Sequence, residues 1–292
     1  ATLIFFLGRK KYVRVPPKGI NKDNFIFISF YALFNAGKKK KGESILDVAK
    51  GKFTPAKVEG VKAVYRVMAV FFFALAFWAV WDQCLSEWVL QAAKMDRNIN
   101  LGFTKFEIIA GQVNTVNTIF LLAFIPIFNY WIYPYFDRIG LKTTPLRRMG
   151  VGLVLTALTF VIIALIQSRI DHGGSPSIWW QILAYMVLSA AEVLVSITVL
   201  QYAYTHSTVS MKSTMSGIWF LVVAVGNLIT GAINNNIANH GYFEKRLVGA
   251  NYYWFFVGFI CVFIVLFMFI APRLKERSYI AEPEEEHKVI AE

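Results

Sequence analysis

Long apolar runs separated by short charged loops set the pattern of the chain. Six runs, near residues 65–91, 107–135, 146–169, 178–204, 212–238 and 250–271, reach the ~20 mostly apolar residues that a helix needs to cross a bilayer. Two earlier runs are too short. The stub ATLIFFL, within residues 1–8, reads as the end of a membrane helix that begins upstream. The stretch NFIFISFYALFN, at about a dozen residues, cannot span ~30 Å of hydrocarbon as a helix. It is expected to be interfacial, re-entrant or packed on a neighbour.

Polar residues are unevenly shared among the six runs. The first carries Trp78, Asp82 and Ser86 on one stripe, the second Asn114, Asn117 and Thr118, and the fifth Ser216, Trp219, Asn227, Thr230 and Asn234. In the fourth, Tyr185, Ser189, Glu192 and Ser196 share one face at about 100° per residue, while Leu188, Leu194 and Ile197 lie elsewhere. The third and sixth hold almost nothing polar and are expected to face lipid. The order wet, wet, dry, wet, wet, dry is the three-plus-three pattern expected of a transporter half built from inverted repeats around a midplane site. Pro126 should kink the second run, because its ring clashes with the preceding turn and it has no N–H to donate.

Composition agrees with a polytopic membrane protein: 57% of the 292 residues are hydrophobic and 16% aromatic, and the mean hydropathy is +0.50. The net charge of +12 is explained by topology and not by nucleic acid. Lys38 to Lys41, Lys50, Lys52, Lys57, Lys62 and Arg66 precede or open the first run. Arg138, Lys142, Arg147 and Arg148 lie between the second and third, Lys212 follows the fourth, and Arg273, Lys275 and Arg277 follow the sixth. The alternate loops hold Lys94, Arg97, Lys105, Arg169, Lys245 and Arg246, so 24 of 30 basic residues fall on one side. The positive-inside rule makes that side cytoplasmic, and both ends of the chain with it, in a multi-pass protein of the cytoplasmic membrane. Residues 9–64 then read as a basic linker with short extra helices that touches anionic lipid, and residues 272–292 as a disordered tail. Asp137 and Arg138, with Arg147 and Arg148, either tie two helix ends together as a charge cluster or simply orient them. Cys84 and Cys261 fall inside runs, so no disulfide framework is indicated.

Glu192 carries the most chemistry. An ionisable group near the middle of a span costs at least ~2.5 kcal/mol by insertion scales, so its side chain faces protein or water. It marks an ion or substrate path, or it is a buried acid hydrogen-bonded to a neighbouring helix. A membrane-embedded enzyme finds no support: no HExxH, no GxSxG and no cluster of His or Cys occurs in a run, and His206 stands alone at a helix end as a surface residue. Neither a dinucleotide nor a metal cofactor has a motif here.

Several motifs together, FDRIG, TPLRRMGVG, FWAVWDQ with SEWVLQA, AEVLVSITVLQYAYTHS, SMKS and WFLVVAVGNL, resemble in order and spacing the C-terminal half of the proton-dependent oligopeptide transporter family of the major facilitator superfamily. The likeness runs from GRKKYVRVPP to about Arg277. It implies an all-α membrane fold, with residues 65–271 as the C-terminal six-helix bundle, helices 7–12, behind an inter-bundle linker. It implies symport of di- and tripeptides with protons by alternating access, the site being completed by the N-terminal six-helix bundle of the same transporter. Glu192 matches an acid that contacts the peptide amino terminus and is linked to proton coupling, and Asn117 an asparagine that helps hold the same end. Trp78 and Trp219, with Phe220, match aromatics of a side-chain pocket. Asp82 matches an acid that pairs with an N-half arginine to close the outer gate.

The residues suit that chemistry on their own. In a low-dielectric cavity a carboxylate can hold either a proton or a bound ammonium, so substrate and proton compete for it. Aromatic walls accept varied side chains with little hydrogen-bond demand. Packing or interface anchoring remains open for Trp78 and Trp219, an interhelical hydrogen bond for Asn117, and a local pair for Asp82. AAEVL departs from the family's usual small-Gly-Glu opening, Val199 stands where Gly is common, and Gln201 where Glu is frequent. By helical angle Gln201 lies opposite Glu192. Transport of nitrate, a drug or another small anion or zwitterion, and a non-transporting sensor or scaffold, are the other readings.

Overall fold

Apolar length sets the architecture. In the computed structural model, which describes residues 2–10, 24–100, 102 and 104–274, six helices are long and apolar enough to cross a membrane. These spans run Pro55–Leu85, Ala110–Arg138, Pro145–Asp171, Trp179–Thr205, Lys212–Ala238 and Ala250–Arg273. The C-terminal tail and most of the loop after Gly8 lie outside the described residues. Packing divides the chain into Ala1–Lys62 and Ala63–Glu292.

In the first unit a short helix, Phe25–Phe34, starts at Asn24, whose side chain accepts the Phe27 N–H at 3.0 Å. It buries Ile28 and Ala32 on the 3-10 segment Ile45–Gly51, and Tyr31 meets Phe53 edge-on at 5.5 Å. One face of this run therefore packs on a neighbour, while Ile26, Phe27, Phe30, Leu33 and Phe34 stay exposed. Asp47 receives Lys50 at 2.6 Å and Lys62 at 2.7 Å. Those two ammonium groups hold its carboxyl well below the usual carboxylate range.

The first span begins at Pro55, ten residues ahead of the apolar run, where a proline is tolerated because the first N–H groups of a helix have no partner. Helix gives way at Asp82–Leu85 to a 3-10 turn, Ser86 breaks the chain at φ −129°, and Glu87–Ala92 resumes it. Ser86 thus leaves the stripe expected for it with Trp78 and Asp82. Past Pro126 the second span passes into a π-helical segment, Phe128–Ile132, and a second one, Val193–Ile197, directly follows Glu192. Such a segment adds a residue to the turn, so Gln201 no longer sits opposite Glu192 by simple counting; its side chain is exposed.

Lack of polarity misplaced one helix. The third span was expected to face lipid, yet it buries Met149, Leu153, Phe160 and Ile163 and packs on the fourth and sixth spans. Only its other face, with Val151, Val154, Leu158 and Leu165, is exposed. An apolar helix packs on apolar helices as readily as on lipid, so polarity does not separate the two. At Gly152 an added Cβ would lie 2.6 Å from Val195 Cγ2, which is why the third and fourth spans can approach here. Thr156 and Thr159 donate their hydroxyls to carbonyls one turn back, Gly152 and Leu155.

The loops carry detail that periodicity does not. Asn98–Asn100 pairs antiparallel with Lys105–Glu107, and Arg97 bridges to Glu107. Asp96 exchanges backbone bonds with Pro176 at 3.0 Å and Ile178 at 2.8 Å, joining this hairpin to the loop before the fourth span. Between the second and third spans the expected charge cluster takes a different form. Asp137 accepts the Thr143 N–H at 2.7 Å and its hydroxyl at 3.0 Å, and Arg148 lies 3.7 Å over the Tyr133 ring. Thr143 reaches the carboxylate through its own backbone, so no arginine is needed there.

At the far end of the third span, Asp171 accepts the Ala250 N–H at 2.7 Å and so caps the helix of the sixth. Gly249 lies between them at φ 56°, where a Cβ would stand 2.2 Å from Asp171 Oδ2. Gly249→Ala is expected to cost about 2 kcal/mol, combining left-handed strain with the lost cap. A thermal midpoint unchanged in detergent would show that the junction relaxes freely.

Candidate functional site

The polar face of the fourth span meets the first and second spans at Glu192. Its Oε2 accepts the indole N–H of Trp81 at 3.0 Å and the amide N–H of Asn117 at 3.2 Å. Asn117 is oriented in turn by Ser189, whose hydroxyl donates to its Oδ1 at 2.7 Å. One helical turn earlier, the Tyr185 hydroxyl donates to the Cys84 carbonyl at 2.9 Å. Tyr185, Ser189 and Glu192 thus form one row against two helices, at the spacing that puts side chains on one face. Ser196, fourth in the expected row, falls in the π-helical segment, and its buried hydroxyl has no partner among the described residues.

Beside the carboxylate stands a cluster of aromatics. Trp78 meets Trp81 at 5.4 Å and Trp219 at 5.9 Å between ring centroids, and Phe71 meets Trp219 at 5.4 Å, all edge-on. The indole N–H of Trp78 is buried without a hydrogen-bond partner among the described residues. Trp219 is buried, whereas Phe220 next to it is 70% exposed and stands outside this cluster.

Across the first and fifth spans, Asn227 donates to the Asp82 carboxylate and Thr230 to the Ala79 carbonyl. Gly226 makes this approach possible: an added Cβ would lie 2.9 Å from Ala79 N and 2.9 Å from Trp78 Cβ. The remaining polar residues of the fifth span reach other partners, Ser216 the Tyr204 hydroxyl and Asn234 the Tyr252 hydroxyl. In the second span Asn117 is buried, while Thr118 is exposed. His206 lies away from this group, half-buried, with its ring 3.9 Å from that of Tyr202.

The structure therefore brings Glu192, Asn117, Trp78 and Trp219 to one place, sets Asp82 one turn along the first span, and leaves Phe220 outside. Sequence reasoning passed over Trp81. Its signal was present: it lies three residues after Trp78, on the same side of a helix, and an indole carries the donor that an intramembrane carboxylate requires. Among the described residues no group of three or more His, Cys, Asp or Glu side chains is arranged to hold a metal ion.

The described residues thus form a bundle of membrane-length helices with a hydrogen-bonded acid at an interior junction. The model of the POT family matches residues 1–255, and the chain belongs to that family, on the major facilitator fold. It is 34% identical over 205 residues to solute carrier family 15 member 2 of Oryctolagus cuniculus, covering 68% of this chain and 28% of that protein. It is 30% identical to peptide transporter 3 of Caenorhabditis elegans, over 59% of this chain and 24% of the relative. The crystal structure of an auto-inhibited POT family peptide transporter superposes with a TM-score of 0.79 at 27% identity, over 97% of this chain and 63% of that one. The POT family transporter PepTSo gives 0.78 at 28%, over 94% and 62%. The chain spans about a quarter of the length of the curated relatives.

Proposed function

We propose that this chain forms the C-terminal half of the substrate site of a transporter that carries di- and tripeptides together with protons by alternating access. The single observation that carries the reading is the Glu192 carboxylate, held by Trp81 and Asn117 where three spans meet. It is an interior acid that can hold either a proton or, as the anion, a peptide ammonium. Asn117 supports the same end of the peptide, and Trp78 and Trp219 wall the side chain, with Phe220 on the approach. The Trp78 indole, without a partner among the described residues, offers a further donor to a substrate carbonyl. Asp82, held here by Asn227, is released to an arginine of the N-terminal bundle when the outer gate closes. Residues 9–64 link the two bundles, residues 65–271 form the second one, and residues 272–292 are a tail, with both ends of the segment in the cytoplasm.

The test is uptake of a labelled dipeptide by proteoliposomes holding the intact protein under an inward proton gradient. Accumulation that follows the gradient is expected. No dipeptide uptake at all would refute the peptide reading and turn the search to nitrate and other small solutes. Trp81→Phe keeps the ring and deletes the N–H, so it is expected to weaken dipeptide binding roughly fivefold, about 1 kcal/mol. Titration calorimetry measures this, and an unchanged Kd would mean that the indole bond is lost when peptide binds.

A further inference from the structure

Between the second, third and fourth spans, away from Glu192, lies a cavity of about 520 Å³. Its walls are largely apolar, including Phe128, Phe136, Val151 and Leu194, and its mouth carries Lys142, Arg147 and Arg148. Among the described residues no carboxylate lines it. Asp137, the acid in the last turn of the second span, is turned onto Thr143. Arg148 is fixed by the Tyr133 ring and by its Nε bond to the Thr143 carbonyl at 2.7 Å. Arg147 donates to the Lys142 carbonyl at 3.1 Å, and the side chains of Lys142 and Arg147 are exposed. The cavity thus joins an apolar interior to a positive mouth, at the end of three helices of membrane length.

A soluble anion would gain nothing from those walls, and a neutral chain nothing from the three cations. We propose that the cavity binds an anionic phospholipid of the cytoplasmic leaflet, with one acyl chain along Phe128, Val151 and Leu194 and the phosphate held by Lys142 and Arg147. The occupant would touch both π-helical segments, through Phe128 and Leu194, one of which directly follows Glu192. The inference rests on the reading of this loop as cytoplasmic, and not on the identity of the transported solute.

The experiment is native mass spectrometry of the intact protein, equilibrated with equal amounts of phosphatidylglycerol and phosphatidylcholine of identical chains. One phosphatidylglycerol retained in preference is expected. The double variant Lys142→Ala with Arg147→Ala should reduce that preference about tenfold. Val151→Trp, at a position 54% exposed and so tolerant of size, should fill the apolar part and also release the lipid. Equal retention of the two lipids, or retention that neither variant alters, overturns the proposal. So does full displacement by glycerol 1-phosphate, which would mark a phosphate site and not a lipid site. Because bound mass is read directly, a native protein that transports no dipeptide leaves this result intact.

Discussion

Glu192→Gln is expected to abolish proton-driven accumulation of dipeptide while leaving a folded protein that still exchanges substrate across the membrane. The substitution keeps the size of the side chain and an oxygen that can accept from Trp81 and Asn117, so the junction of the three spans survives. It removes the capacity to alternate between a neutral acid and an anion. Gradient-driven uptake should fall on the order of tenfold or more, as expected when an ionisable group on a proton path is neutralised. Binding should weaken by about 1.5–3 kcal/mol, the difference made by a charge-assisted hydrogen bond to the peptide ammonium. Counterflow of labelled against unlabelled dipeptide, which needs no net proton movement, separates a coupling defect from misfolding. A variant that accumulates peptide as well as the native protein would remove Glu192 from the mechanism.

Gly226→Leu is expected to be the most disruptive single change at the contact between the first and fifth spans. A Cβ there already lies 2.9 Å from Ala79 N and 3.1 Å from the Leu75 carbonyl, so backbone atoms and not flexible side chains stand in the way. The helices must move apart. Separation would break the bonds from Asn227 to Asp82 and from Thr230 to the Ala79 carbonyl, and pull Trp219 off Trp78. Overpacking and the polar groups left unpaired together cost about 3–5 kcal/mol. Thermal unfolding in detergent followed by tryptophan fluorescence measures the loss, with Gly226→Ala expected in between. Native-like stability of both variants would show that the two spans are not held at this distance.

Glu192 could be singled out because one carboxylate in a long apolar run contradicts its surroundings, and that contradiction is local. Gly226 could not, because a glycine in a helical run carries no mark of the neighbour that needs its missing Cβ. Trp81 is intermediate: its spacing from Trp78 was visible, but the indole is a donor to Glu192 only because residues 111 positions apart meet.

The sequence by itself determined how many helices are of membrane length, roughly where they run, and which carry polar stripes, since apolar length and periodicity are properties of single segments. It also carried the motifs of the family. Only the tertiary structure decided that the third span is packed on two others, that Ser86 breaks the first, that Asp137 turns to Thr143, and that π-helical segments follow Pro126 and Glu192. Those outcomes depend on which surfaces meet. A polar-poor helix is equally content against lipid or against another helix, and a hydrogen bond across 3 Å leaves no trace in the spacing of either partner.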